Sequence, residues 1–186
     1  KIQIQQDYDA VYGTDFWKKQ YDGQYGYEIL ARNTVEQLKY IHAVYNLAEE
    51  NGDVEDSCYE ALEKRWKDGN AERSEKVKKG EVIYGLKEYT FQLYLDYELS
   101  TLKEKYCNDT SREGMQLTED EVLQHYQSRD WIFGGSEEKA DLETARIAVE
   151  RELREQKYDD MITQRENGSQ VEGNMKDVNR YTLKNI

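Results

Sequence analysis

Apolar residues along this chain recur mainly at three- and four-residue intervals, the spacing of a single helix face. In "EILARNTVEQLKYIHAVYNLAEENG" the set Ile29/Leu30, Val35, Leu38, Ile41, Tyr45 and Ala48 predicts a helix that ends near residue 50. Asn51-Gly52 supplies a left-handed stop, and Val54 follows where a hydrophobic contact usually closes such a stop. Cys58, Leu62 and Trp66, four residues apart, predict a second helix over about 56–68. The stretch "KDGNAERSEKVKKG" after it is polar on every side and reads as a solvated loop or a frayed helix.

In "YGLKEYTFQLYLDYELSTLKEKY" Gly85 marks a turn and Thr90 caps a helix over about 91–106. Phe91, Tyr94/Leu95, Leu99, Leu102 and Tyr106 make its apolar face, with Leu93 and Tyr97 to the side. Thr118 and Glu121 match a capping box that opens a short helix through Val122, Leu123 and Tyr126. Asp141 caps a last long helix over about 142–166, faced by Leu142, Ala145, Val149 and Leu153 and continued by Tyr158, Met161 and Ile162.

The ends are less regular. "KIQIQ" alternates about Ile2 and Ile4, as a short edge strand does. Thr14 stands as a cap ahead of Phe16 and Trp17, and Gly23 and Gly26 then interrupt the pattern. The tail offers a strand at Val171 and a helical turn or two after it. The whole reads as one mainly α domain over 1–186 with about five helices, to which the terminal segments can add a two-strand pairing. Its parts are an N-terminal segment 1–27, a helical part 28–134, a hinge 135–140, and a closing helix and tail 141–186.

Charge narrows the partners. Of 186 residues 35% are charged and the net charge is −13, so nucleic acid and anionic membrane surfaces are disfavoured and basic partners favoured. Sixteen tyrosines supply most of the aromatic content, and tyrosine suits thin cores and wet interfaces alike. Proline is absent, which favours long uninterrupted helices. No window is apolar enough for a membrane span. The start at Lys1 rather than Met fits a leader or tag removed earlier. Cys58 and Cys107 permit one disulfide or two thiols.

Chemistry is hard to find. His42 and His125 have no second histidine at ligand spacing, and no Cys-x-x-Cys, H-E-x-x-H, P-loop or G-x-S-x-G pattern occurs. "NGDVED" lacks the order and the final glutamate of a calcium loop. No catalytic, cofactor-binding or metal-binding residue is nominated. The aromatic run from Tyr84 to Tyr106 is instead a buried seam or a sticky surface. Its helical face suits the seam; Tyr84, Tyr89 and Tyr97 suit contact with another chain. Trp131 and Phe133, ahead of the hinge, suit either a lid over that chain or a packing plug.

The order of motifs adds a resemblance. "LAEENGDVEDSCYEAL", the aromatic helix just described, "LTEDEVLQHYQSRDWIF" and "DLETARIAVERELREQKYDDMITQRENGSQVEGN" follow one another as the chaperone-domain elements of the SurA/PrsA class of extracytoplasmic chaperones do. The likeness covers about residues 28–175. Where many relatives carry a parvulin prolyl-isomerase insert, between Phe133 and Asp141, this chain has only "GGSEEKA". The resemblance therefore implies a non-catalytic module that binds unfolded or extended segments of secreted proteins outside the cytoplasm, in a Gram-positive bacterium, secreted or lipid-anchored. The other readings are an envelope assembly protein that binds one fixed partner or forms a homodimer, and, against the empty insertion point, a degenerate prolyl isomerase.

Overall fold

The computed structural model describes Ile4, residues 14–135 and residues 138–186. Among the described residues, six α-helices, a 3-10 turn and one two-stranded antiparallel sheet make up the regular structure, mainly helical as expected. The chain divides into two compact units, Lys1–Ala43 with Glu166–Ile186, and Val44–Arg165.

In the first unit a 3-10 turn, Thr14–Lys18, leads into β1 (Gln20–Tyr21) and β2 (Gln24–Tyr25). Asp22 and Gly23 between them have φ of 49° and 81°, the pair of positive values that a tight hairpin turn needs. Asp-Gly is the sequence signal for such a turn, so the strand pairing is local, Gln20 with Tyr25 and Tyr21 with Gln24. Val171 lies in coil, and the "KIQIQ" strand falls outside the described residues apart from Ile4. Ile4, Phe16, Trp17 and Ile29 form a small core, with Tyr21, Leu30 and Ile186 packed on it. Gly26 opens the first long helix under this core; a Cβ there would lie 2.7 Å from the Phe16 carbonyl oxygen. The tail is a full helix rather than a turn or two, Met175–Lys184, because the Asn174 side chain accepts the Lys176 amide at 2.9 Å and starts it.

The helices are labelled in chain order: α1 (Gly26–Glu50), α2 (Tyr59–Lys78), α3 (Phe91–Asn108), α4 (Glu119–Gln127), α5 (Leu142–Gly168) and the tail helix α6 (Met175–Lys184). The second unit holds the end of α1, α2, α3, α4 and most of α5. α1 ends in a Schellman motif, the Asp53 amide donating to Ala48 O at 2.8 Å and the Gly52 amide to Glu49 O at 3.0 Å, with Gly52 at φ 71°. α2 continues well past residue 68, through the polar stretch. Pairs Lys67–Glu63, Lys64–Asp68 and Lys76–Glu72 at helical spacing line it, and a second Schellman motif at Gly80 stops it. Thr90 caps α3, and Thr118 and Glu121 complete the expected capping box at α4. Cys58 is the N-cap of α2, its Sγ accepting the Ala61 amide, and Cys107 is buried; both are free thiols and no disulfide joins them.

The turn after α1 carries a carboxylate that burial alone would expel. The Asp53 side chain is only 3% exposed, and Arg112 Nη2 meets it at 2.8 Å while Lys105 Nζ meets it at 2.6 Å. The Arg112 guanidinium holds its carboxyl below the ordinary value against the opposing effect of burial. A depressed folded pKa contributes stability above the unfolded value of about 3.9 and loses it as pH falls through the lower folded value. Arg112→Ala is expected to cost about 2–3 kcal/mol at neutral pH in urea unfolding. The gap from the wild type should close as pH is lowered below about 4. A gap independent of pH would assign the cost to the lost Arg112 packing over Tyr106 instead.

Candidate functional site

The site begins with a carboxylate between helices. Glu98 on α3, 12% exposed at the side chain, accepts from Arg65 Nε of α2 at 2.9 Å, from Tyr45 Oη of α1 at 2.5 Å and from Tyr94 Oη at 3.0 Å. Burial and the Glu98 charge raise the Tyr45 and Tyr94 phenols well above their ordinary range, so both stay protonated donors. With Tyr94 fixed there, its ring passes 3.5 Å from where a Cβ on Gly69 would be, an ordinary packing distance between α3 and α2.

Beyond Tyr94 the α2–α3 connection is held from the α2 side. Arg73 Nε donates to Leu86 O at 2.8 Å and Nη2 to Tyr84 O at 2.6 Å, while its guanidinium sits 4.9 Å over the Tyr89 ring. Asn70 brackets Tyr89, accepting its amide at 2.9 Å and donating to its carbonyl at 2.8 Å; Trp66 Nε1 donates to the same carbonyl at 2.7 Å. Gly85, at φ 79°, makes the turn between the two clamped carbonyls. These contacts leave the loop's apolar side chains outside: Tyr84 is 88% exposed and Val82 78%, with Leu86, Leu93 and Val77 exposed near them. Tyr89 stacks on Tyr97 at 5.7 Å, and Tyr97 is 53% exposed. The result is an open groove of about 560 Å³ whose walls include Arg73, Val82, Ile83, Tyr84, Tyr89 and Tyr97.

Three of the five nominated contact residues, Tyr84, Tyr89 and Tyr97, thus share one groove. Trp131 is elsewhere and is a plug: 4% exposed, packed with Val122, Ala145 and Val149, its indole donating to Tyr126 O at 3.0 Å. Phe133 is exposed beside Ile132 on the loop after it. That loop closes on itself, because the Ala140 amide donates to Trp131 O at 2.8 Å and the Tyr126 hydroxyl to Ala140 O at 2.9 Å. Sequence reasoning missed Val82, Ile83 and Leu86, for which "EVIYGL" between Gly80 and Gly85 was the available signal. Arg73 and Asn70 lay in the stretch taken for loop or frayed helix, and nothing local marked them.

A second cleft, about 420 Å³ between α3 and α5, is lined by charged residues and by Cys107. Burial pushes that thiol up to about 11, so near neutral pH it is protonated and is no activated nucleophile. Among the described residues no group of His, Cys, Asp and Glu is set to hold a metal ion, and no helix is long and apolar enough to cross a membrane.

No protein-family model matches the chain, and no solved structure matches it. The chain is similar to a chaperone-type protein, the chaperone for lacto-N-biosidase of Bifidobacterium longum subsp. longum. The two are 32% identical over 165 residues, which are 89% of this chain and 59% of that relative. The chain thus spans somewhat under two thirds of the length of the curated relative it matches.

Replacing Glu98 with Ala should leave Arg65 without its carboxylate and cost about 2–3 kcal/mol in urea unfolding, with the Tyr94 phenol titrating closer to its ordinary value. An unchanged urea midpoint would show that the three helices are placed without it.

Proposed function

We propose that this chain is a non-catalytic, chaperone-like module that binds unfolded or extended protein segments at the α2–α3 tip. The observation that carries this reading is the groove that brings exposed Val82, Tyr84 and Tyr97 together, beside a connection held by Arg73, Asn70 and Trp66. A fixed backbone with large apolar side chains turned outward resembles a binding surface more than a core that failed to close. Similarity to a protein named as a chaperone favours the same reading.

The client is a secreted protein, and the relative's name favours a dedicated one, of the lacto-N-biosidase kind. That name also keeps the fixed-partner reading alive, since a dedicated chaperone binds one protein stoichiometrically. The module acts outside the cytoplasm and belongs with the SurA/PrsA chaperones. In support, the residues bracketing 132–139 are bonded to each other, the closed neck at which an insert can be present or absent without disturbing the helices on either side.

The test dilutes denatured lacto-N-biosidase into buffer and follows light scattering. Wild-type chain at equimolar amount should delay aggregation, and the Tyr84→Ser/Tyr97→Ser double variant should lose at least about half of the delay. Absence of delay at excess would overturn the function; an equal delay from the double variant would overturn the site. Multi-angle light scattering on the free chain separates a holding monomer from a self-associating assembly protein.

A further inference from the structure

The groove does more than expose side chains, because the loop that walls it also leaves main chain unused. Between Glu81 and Tyr84 two backbone groups have partners: the Glu81 amide, which donates to Lys76 O at 3.0 Å, and the Tyr84 carbonyl, which accepts from Arg73. The amides of Val82, Ile83 and Tyr84 and the carbonyls of Glu81, Val82 and Ile83 find none among the described residues. Loops commonly leave such groups to water. Here, however, the three residues are Val, Ile and Tyr, types that favour strands, and both ends of the segment are fixed, by the Schellman motif at Gly80 and by the Arg73 clamp. Val82 and Tyr84 point outward while Ile83 is half-buried, the alternation of a strand with one face wet.

Charge says what kind of strand fits. Between Tyr59 and Asn108 there are ten Lys and Arg and ten Asp and Glu, so α2, the loop and α3 are together neutral, and the whole net charge of −13 lies outside them. An acidic rim attracting basic segments is therefore not a property of this hairpin. Neutral surroundings and aromatic walls suit an uncharged segment.

We propose, resting on the holding function above, that Glu81–Tyr84 receives an extended client segment by β-strand addition, and that the preferred segment is uncharged and alternates β-branched or aromatic residues with small polar ones. Main-chain hydrogen bonds to the free amides and carbonyls supply sequence-tolerant affinity, and Tyr84, Tyr89 and Tyr97 take alternate side chains. One loop thereby serves many sequences of one conformation.

The probe is a fluorescein-labelled acetyl-Thr-Val-Thr-Tyr-Thr-Val-Thr-amide, its twin N-methylated at alternate amides, and a Lys-containing version of equal length. Anisotropy titrations on the full chain should show saturable binding of the parent peptide. The N-methylated twin should bind about tenfold more weakly, and salt between roughly 50 and 500 mM should change parent affinity less than about twofold. Ile83→Pro, which removes a donor, should weaken binding more than Ile83→Ala, which keeps it. The light-scattering assay above runs in parallel. Delay of client aggregation together with equal binding of parent and N-methylated peptides, or with preference for the Lys-containing peptide, overturns strand addition while leaving the holding function standing. Delay with no binding of any peptide does the same. No delay and no peptide binding overturns both. Should Ile83→Pro lose its helical circular dichroism, the N-methylated peptide still decides.

Discussion

The position of the groove depends on one largely buried carboxylate. Glu98 accepts hydrogen bonds from Tyr45 of α1, Arg65 of α2 and Tyr94 of its own helix, so three helices share a single charge. Such an arrangement need not add net stability compared with well-packed apolar residues, but its members cannot be removed singly without stranding a charge in a poorly solvated place. What it specifies is register. Tyr94 is held so that its ring lies over Gly69 and within 6.4 Å of Tyr97, and Tyr97 in turn stacks on Tyr89. The floor of the groove is thus set from below, and Arg73 and Asn70 set its wall from the side.

The same economy runs through the second unit. Apolar residues are scarce, so tyrosines fill space while their hydroxyls find acceptors: Tyr106 donates to Glu113 O and Tyr126 to Ala140 O. Ion pairs join elements at their margins, as Arg146–Glu119 and Lys157–Glu121 do between α5 and α4. Exposed pairs of this kind contribute little each, and the depth of the core at Val149, Tyr158 and Ile162 carries the packing. A neutral hairpin with outward aromatics thus sits on a strongly acidic chain, whose net charge opposes self-association.

Much of the fold was legible in the sequence, for definite reasons. α1, α3 and α5 have wide apolar faces, α3 and α5 start at side-chain caps, and the Thr118–Glu121 capping box carries its own geometry. The rear of α2 was not legible by periodicity, since residues 69–78 bury nothing large; good helix formers and i,i+4 pairs hold it, and Gly80 rather than Gly69 ends it. The Asp22-Gly23 hairpin went unread, because its two-residue strands are too short for strand periodicity to show and the pairing was expected of the terminal segments instead. For the site, Tyr84, Tyr89 and Tyr97 stood out because they fall off the helical face. Arg73 could not stand out, because a clamp made to two carbonyls thirteen or fewer residues away leaves no mark on local composition. Trp131 suits a lid or a plug by sequence alone, and only its burial in a core, with the indole bonded to Tyr126 O, makes it a plug.

Hydrogen–deuterium exchange of the chain with and without bound client tests the central claim most directly, because it reports amides and the claim concerns amides. Client should slow exchange at Val82, Ile83 and Tyr84, whose amides have no partner among the described residues, and leave the α3–α5 cleft around Cys107 unchanged. Protection centred on that cleft or on α6, with Val82–Tyr84 exchanging as fast as before, would contradict the account.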